Sequence, residues 1–205
     1  IFSLIRRGSI LVPFTQEITS EIASFIKISS AEFLIKFSSD DSHSIKKLNK
    51  AAENKLISEF KKKMRPGLIV FTSGSTGKPK GILHDCENVM EKFVEKRKGW
   101  KTILFLLMDH FGGFNTLLST FAYLGTGVCV TSRSPHEVAK MIELGKANLL
   151  PTTPTFLNLM IAHKVHKSYD LTSVELITYG TELMSQTTLE KVNFIFPNAR
   201  LKQTY

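Results

Sequence analysis

Short apolar runs alternate with stretches of helical periodicity along almost the whole chain of 205 residues. The apolar runs predict strands at residues 10–14, 32–37, 68–71, 101–108, 128–131, 148–150, 174–179 and 200–204. The periodic stretches predict helices at residues 19–28, 46–65, 85–97, 113–124, 134–144, 155–163 and 185–194. Such alternation implies right-handed crossovers and parallel strands that are covered on both faces. We therefore expect an α/β fold of layered, mostly parallel sheets flanked by helices.

The helix predicted at residues 134–144 has the clearest start and stop signals. Ser134 can cap its first turn, Pro135 suits that turn, and Glu137 can reach back to complete a capping box. Gly145 is a suitable C-terminal stop. These residues predict both ends of the helix.

Charge is unevenly distributed along the chain. The sequence has 27 Lys and Arg against 18 Asp and Glu, and a run of basic residues lies between Lys46 and Arg65. One interpretation is an amphipathic helix with a solvated basic face. Another is attraction to anions such as a nucleotide, coenzyme A, acidic lipid or nucleic acid. Aromatic residues do not alternate with these lysines as they do in binders of single-stranded nucleic acid. We therefore expect no nucleic-acid partner.

Cysteine content and hydropathy argue against two further classes of protein. Cys86 and Cys129 stand in unrelated contexts and suggest neither a disulfide framework nor zinc-ligand spacing. We therefore expect a reducing, cytoplasmic location and no metal site. Residues 111–132 carry no formal charge and are long enough to span a bilayer. Their glycines and hydroxyl residues favour a buried helix, a turn and a short strand, so no integral membrane segment is expected.

Residues 70–81 read VFTSGSTGKPKG, and they are too polar to fill a core. Gly74 and Gly77 can turn the backbone so that its N–H groups form an anion-binding nest. The hydroxyl groups and Lys80 add hydrogen-bond donors and a positive charge. The segment has neither the Walker pattern nor the Gly-x-Gly-x-x-Gly pattern. On composition alone, a polyphosphate site and an ordinary Ser/Gly-rich surface loop are equally open interpretations.

The wording Phe-Thr-Ser-Gly-Ser-Thr-Gly-x-Pro-Lys-Gly at residues 71–81 resembles the phosphate-binding signature of the adenylate-forming superfamily. That superfamily includes acyl- and aryl-CoA synthetases, nonribosomal peptide adenylation domains and firefly-type luciferases. The resemblance continues in LIRRGSILVPFTQEIT, LMDHFGGFNTLLSTFAYLGTGVCV, LLPTTPTFLNLMI, LITYGTELMS and FPNARLKQTY. The chain is therefore identified as resembling the acyl-CoA synthetases of this superfamily.

The resemblance implies a role for each matching position. The terminal phosphates of ATP would be bound by Thr72, Ser73, Gly74, Ser75, Thr76, Gly77 and Lys80. Within that group, the catalytic residues would be Lys80 and Thr76. Gly180, Thr181 and Glu182 would pass along the adenine and the acyl pocket. Gln203 would hydrogen-bond the edge of the adenine, and Tyr205 would stack on its ring. The acid substrate would be bound by His110, Phe111, Gly113, Phe114 and Tyr179.

Structural roles are open alternatives at several of these positions. Taken alone, His110 is better interpreted as a core histidine with its hydrogen bonds satisfied, and Phe114 and Leu118 could be ordinary core residues. Glu182 is also suited to starting the next helix, because a carboxylate is favourable at a helix N-terminus.

The implied reaction is attack of a carboxylate on the α-phosphorus of ATP, in the presence of Mg²⁺, with release of pyrophosphate. Coenzyme A or a carrier phosphopantetheine would then take the acyl group. Residues 1–65 would form a leading α/β segment with the basic helix, and residues 66–205 would carry the phosphate loop and the adenine and acyl pockets. The family's Mg²⁺ ligands and C-terminal domain would lie beyond Tyr205. We therefore expect an incomplete N-terminal domain that is inactive alone.

The sequence does not specify which small carboxylic acid is used. The visible pocket positions favour an apolar or aromatic acid. The alternative function is a nucleotide-binding paralogue or fragment without catalysis.

Overall fold

The computed structural model describes residues 1–15, 21–48, 54–73 and 79–204. The chain divides into two compact units. The first unit comprises residues 1–94 and 108–111, and the second comprises residues 95–107 and 112–205.

The described part of the first unit has two small sheets and several short helices. The helices are α1 (Phe2–Arg6), α2 (Ile22–Ser29), α3 (Lys55–Lys61) and α4 (Cys86–Glu91). The strands are β1 (Ile10–Leu11), β2 (Phe33–Phe37), β3 (His43–Lys47), β4 (Gly67–Ser73) and β5 (Pro79–Asp85). β1 runs parallel to β4, and β4 pairs antiparallel with β5. β2 and β3 form a separate antiparallel hairpin.

Phenylalanine rings form the centre of the first unit's core. Phe25 of α2 and Phe71 of β4 stack with their ring centroids 4.0 Å apart and an interplanar angle of 7°. The ring of Phe14 lies 5.8 Å from that of Phe25. Ile57 of α3 and Ile69 of β4 are buried in the same cluster. Because Phe71 belongs to this core, β4 is fixed close to its carboxyl end.

The basic segment forms two elements, so the single helix predicted at residues 46–65 is wrong. Lys46 and Lys47 lie in β3, where they pair with β2. The helix begins only after Asn54, whose side-chain oxygen accepts hydrogen bonds from two backbone N–H groups of the first turn. The apolar spacing at the start of this segment suits either structure, and the cross-strand pairing with β2 decides it.

The second unit alternates strands with helices. Its strands are β6 (Lys101–Leu104), β7 (Thr126–Cys129), β8 (Leu149–Thr152), β9 (Leu176–Tyr179) and β10 (Arg200–Gln203). Its helices are α5 (Phe111–Ala122), α6 (Pro135–Gly145), α7 (Pro154–Ala162) and α8 (Gln186–Ile195), with a 3-10 turn at Val165–Lys167. The five strands form one parallel sheet in the order β10-β9-β8-β6-β7. The predicted α/β class is therefore confirmed.

The core of the second unit lies between this sheet and its helices. Ile103, Leu150 and Ile177 on three neighbouring strands are fully buried, together with Val138 of α6 and Met160 of α7. Strands that are buried on both faces read as continuous apolar runs, which explains why the sequence predicted them well.

β8 continues through Pro151, although the sequence predicted that this strand ends at residue 150. Pro151 pairs with Thr178 of β9. Towards β6, the pairing within residues 79–204 is limited to Leu149 with Thr102. The missing N–H of the proline therefore interrupts no hydrogen-bond ladder on that side.

The predicted start of α6 is partly confirmed. Ser134 caps the helix, because its hydroxyl accepts a hydrogen bond from the backbone N–H of Glu137 at 3.2 Å. The carboxylate of Glu137 accepts instead from the hydroxyl of Thr131 at 2.7 Å, so it does not close a capping box. That hydrogen bond lowers the pKa of Glu137. At the other end, Lys146 rather than Gly145 takes the left-handed conformation, with φ of 46°.

In the part of the chain that the structure describes, no helix has the length and apolar character needed to cross a membrane. The uncharged segment at residues 111–132 contains α5 and β7, as the sequence predicted.

Candidate functional site

The hydroxyl-rich loop stands at the tip of an antiparallel hairpin. β4 leads into it and β5 leaves it, with Thr72 paired to Lys80 and Ser73 paired to Pro79. Thr72 and Lys80 are both exposed at the base of the loop. Directly opposite residues on adjacent strands have their Cβ atoms about 4.5–5.5 Å apart. The side chains of Thr72 and Lys80 therefore start from neighbouring positions on the two strands at the base of this loop.

Five predicted phosphate-binding positions cannot be placed in full. The four that lie outside the described residues are Gly74, Ser75, Thr76 and Gly77. Ser73 is described only by its backbone, as the last residue of β4. The roles predicted for these five residues, including the catalytic role of Thr76, stay predictions.

Strand β5 was missed by the sequence analysis, which predicted no regular structure between residue 71 and the helix at 85–97. That helix is in fact α4 and ends at Glu91. Because the loop leads into a strand, no helix N-terminus follows it directly to attract an anion.

Phe111, a predicted substrate-binding residue, lies in an aromatic and cationic cluster of the first unit. Its ring stacks on His84 with centroids 4.6 Å apart, and the ammonium group of Lys92 lies 5.1 Å from its centroid. Burial lowers the pKa of His84, and the nearby charge of Lys92 lowers it further. Burial also lowers the pKa of Lys92. The cluster therefore favours a neutral imidazole against the phenyl ring.

His110 is exposed, so the alternative of a buried core histidine is wrong. Its side chain is 67% exposed, and its Nε2 lies 3.8 Å from Oδ1 of Asp109. Asp109 itself is buried, and its Oδ2 accepts a hydrogen bond from the hydroxyl of Thr15 at 2.8 Å. Within the described residues its Oδ1 has no hydrogen-bond partner. The sequence analysis missed this buried carboxylate, although it is adjacent in sequence to His110.

Gly113 and Phe114 have clear packing roles in the second unit. A Cβ atom on Gly113 would lie 2.0 Å from the carbonyl oxygen of Leu107, so only glycine fits there. Phe114 is 1% exposed, and Leu118 on the next turn of α5 is also buried. This burial agrees with the alternative of core residues for Phe114 and Leu118.

The predicted adenine-binding residues gather at the carboxyl ends of β9 and β10. Gln203 pairs with Tyr179, and the backbone N–H of Thr204 donates to the carbonyl of Tyr179 at 2.8 Å. A Cβ atom on Gly180 would lie 2.8 Å from the carbonyl oxygen of Thr204. Thr181 has φ of +67°, an uncommon conformation for a residue with a side chain. The turn after β9 is therefore held tightly against the end of β10.

Glu182 is bonded to a helix of its own unit. Its Oε2 accepts hydrogen bonds from the backbone N–H of Thr155 at 3.0 Å and from the hydroxyl of Thr155 at 2.6 Å. Thr155 lies in the first turn of α7, so the carboxylate stands at a helix N-terminus. The alternative that Glu182 starts the next helix is wrong, because it caps the preceding one.

The topology of the sheet favours ligand binding at the edge where these residues lie. The chain passes from β6 to β7 on one side and then returns to β8, β9 and β10 on the other. The strand order thus reverses between β6 and β8, and ligands of open parallel sheets collect outside the carboxyl ends at such a point. Tyr179, Gly180 and Gln203 lie at the same carboxyl edge, at the ends of β9 and β10, and so beside the reversal point rather than at it. Tyr205 lies outside the described residues.

Among the described residues there is no group of three or more His, Cys, Asp and Glu side chains that could hold a metal ion.

A comparison with protein-family models matches residues 2–205 to the AMP-binding enzyme family. Among curated relatives, the 4-chlorobenzoate–CoA ligase of Pseudomonas sp. (strain CBS-3) is 29% identical over 144 residues, covering 66% of this chain and 27% of the relative. The 4-coumarate–CoA ligase 4 of Arabidopsis thaliana is 25% identical over 186 residues, covering 84% of this chain and 32% of the relative. The chain thus spans about a third or less of the length of these relatives.

A similar solved structure is that of a luciferase-like enzyme from the nonluminescent Zophobas morio mealworm. It superposes with a TM-score of 0.58 and 27% sequence identity, covering 67% of this chain and 33% of that chain.

Proposed function

Because the chain belongs to the AMP-binding enzyme family, whose members are adenylate-forming enzymes, we propose that it serves in the ATP-dependent activation of a carboxylic acid. In this reaction a carboxylate oxygen attacks the α-phosphorus of ATP, the bond to the β-phosphate oxygen breaks, and pyrophosphate leaves. A thiol then attacks the carbonyl carbon of the acyl-adenylate and displaces AMP. The first step depends on positioning and charge stabilisation more than on a protein nucleophile.

The observation that carries the proposal is the pairing of Thr72 with Lys80 at the exposed base of the hydroxyl loop. Negative charge grows on the departing pyrophosphate, and a fixed cation with hydroxyl and N–H donors stabilises such charge. We assign this role to Lys80 together with Thr76, and we assign phosphate binding to Thr72 and to residues 73–77.

We assign the adenine to the carboxyl edge of β9 and β10. The backbone of Gly180 and Thr181 and the side chains of Gln203 and Tyr205 would line it. Support comes from the fixed turn after β9 and from the position of this edge in the topology. Glu182 would act by tying that turn to α7, because its carboxylate is already bonded to Thr155.

We assign binding of the acid to His110 and Phe111 of the first unit. Gly113 and Phe114 are engaged in packing, and the role of Tyr179 stays a prediction. His110 is exposed beside a buried carboxylate, so it is available to a ligand. Both ligases named above act on aromatic acids and coenzyme A, according to their names. We therefore propose an aromatic or apolar acid, with coenzyme A as acceptor and a carrier phosphopantetheine as the alternative. Mg²⁺ would accompany ATP.

We also propose a cytoplasmic location. Cys86 is buried and Cys129 is exposed, and both are free. Free thiols persist where the environment is reducing.

Calorimetric measurement of Mg·ATP binding to residues 1–205 tests the phosphate assignment. Lys80→Ala should weaken binding about 10- to 100-fold, because a charge-assisted hydrogen bond contributes about 1.5–3 kcal/mol. Lys62→Ala is the matched control, since Lys62 is exposed at the end of α3 and outside the hairpin. Equal affinities for the two variants would contradict the assignment.

Catalysis is tested separately by ATP–pyrophosphate exchange of the full-length gene product with a panel of aryl and alkyl carboxylic acids. Exchange that depends on the acid would support adenylation. Lys80-dependent binding of Mg·ATP without exchange for any acid would instead favour the alternative function, a nucleotide-binding protein without catalysis.

A further inference from the structure

A groove on the second unit has no role in the function proposed above. It has a volume of about 460 Å³ and is lined by residues of α7, the 3-10 turn and α8. Its apolar lining comes from Ile161, Phe194 and Ile195, and its basic lining comes from Lys164, Lys167 and Lys191. Small-molecule sites in proteins typically have volumes of about 300–1,000 Å³ with mainly apolar walls.

The groove is separate from the carboxyl edge of the sheet. α7 starts after the carboxyl end of β8 and runs back towards the amino end of β9, and Ile161 lies in its last turn. α8 runs back in the same way, with Phe194 and Ile195 at its end. The groove therefore lies towards the amino ends of the strands, whereas Gly180 and Gln203 lie at their carboxyl ends.

An exposed aromatic ring forms one wall of the groove. Phe194 is 76% exposed, and its ring meets His166 edge to face with centroids 5.8 Å apart. Ile195 beside it is buried in the core. Covering an exposed apolar surface of this kind with an apolar ligand is favourable, because it removes that surface from water.

The rim of the groove is positively charged. In residues 79–204, the ammonium groups of Lys164, Lys167 and Lys191 take part in no ion pair. The acidic residue in the lining is Glu190, and its carboxylate accepts a hydrogen bond from Gln186 at 3.0 Å. Three cations against one carboxylate favour an anionic ligand.

His166 adds an unsatisfied polar atom to the same lining. Its Nδ1 is buried and has no hydrogen-bond partner within the described residues. Most buried polar atoms in proteins are hydrogen-bonded, so a water molecule or a polar group of a ligand in the groove would satisfy this atom.

We propose that this groove binds a small amphiphile with an apolar chain and a single anionic head, either a carboxylate or a phosphate. The chain covers Phe194 and Ile161, and the head lies among Lys164, Lys167 and Lys191. The inference is independent of the ATP site, because none of its residues belongs to that site.

The test is an NMR titration of the ¹⁵N-labelled chain with decanoate, decyl phosphate and decanol. Each ligand is kept below the concentration at which it aggregates. The two anions should shift the amide signals of α7's last turn, the 3-10 turn and α8. Decanol should bind at least about fivefold more weakly, because it lacks the ion pairs with the lysines. The anion that binds with the higher affinity identifies the preferred head group.

Two pairs of variants locate the binding. Lys164→Gln combined with Lys191→Gln should weaken decanoate about 3- to 10-fold relative to Lys96→Gln, an exposed lysine outside the groove. Phe194→Ser should weaken decanoate and decanol alike, whereas Leu124→Ser, which is also at an exposed position, should not. Equal binding of decanol and the anions, or shifts confined to other parts of the chain, would overturn the proposal. Lys80→Ala should leave decanoate binding unchanged, which separates this result from the ATP test.

Discussion

The candidate residues of the two units differ in how far their side chains are already engaged. In the first unit, Thr72, Lys80 and His110 are exposed and available to a ligand. In the second unit, Gly113 and Phe114 are buried by packing, and Glu182 is bonded to α7. These three residues of the first unit thus offer exposed side chains, whereas those of the second unit are held by packing or hydrogen bonds. Substitutions should therefore change binding at Thr72, Lys80 and His110, and folding stability at Gly113, Phe114 and Glu182.

The largest effect on stability is expected at Gly113. Gly113→Ala should lower the free energy of unfolding by about 3 kcal/mol or more, because the new Cβ would overlap the carbonyl oxygen of Leu107 at 2.0 Å. The adjacent Gly112→Ala is the control, since a Cβ there would meet nothing within 4 Å. That control should be stabilising by about 0.5–1 kcal/mol, as alanine usually is in a helix.

Urea unfolding of the two alanine variants measures this difference. Similar midpoints for both would show that α5 and the segment before it can move apart without cost. That result would contradict the claim that packing holds Gly113 in place.

The second unit was predicted well from sequence because its signals are local. Apolar runs mark its buried strands, and Ser134 marks the start of α6. The first unit was predicted less well because its strands depend on pairing across the chain. Lys46 and Lys47 have helical spacing but pair with β2, and β5 is set by its register with β4.

The chemistry of the candidate site could be predicted only as residue types in a pattern. The sequence predicted the hydroxyl loop and Lys80, but not that the loop connects two antiparallel strands. It also missed the buried carboxylate of Asp109 and the bond between Glu182 and Thr155. Those two features depend on partners that are far apart in sequence, so no local sequence pattern predicts them.

An intermediate effect is expected at Glu182. Glu182→Ala should cost about 0.5–2 kcal/mol of folding stability, because two hydrogen bonds at the N-terminus of α7 are lost. Glu182→Gln should cost less, since an amide oxygen can still accept from Thr155 but carries no charge for the helix dipole. Urea unfolding measures both variants.

Glu95→Ala is the matched control for that series, because Glu95 is exposed and makes a surface ion pair with Arg97 at 3.6 Å. Its loss should change the free energy of unfolding by less than about 1 kcal/mol. If Glu182→Ala were as mild as this control, the turn after β9 would not depend on α7, and Glu182 would be free to serve a ligand.

The smallest expected effect is a difference in reactivity between one thiol of the first unit and one thiol of the second. Cys86 of the first unit is 1% exposed, and burial raises its pKa to about 11, with the nearby charge of Asp85 adding to the shift. Cys129 of the second unit is exposed. Iodoacetamide should therefore label Cys129 at pH 8 and leave Cys86 largely unmodified. The raised pKa keeps the Cys86 thiol protonated in the folded chain. Alkylation of Cys86 should therefore stay slow up to about pH 10 and become rapid only after unfolding in urea. Mass spectrometry of wild type and Cys129→Ser measures this contrast, and rapid labelling of Cys86 in the folded variant would show that α4 opens readily from β5.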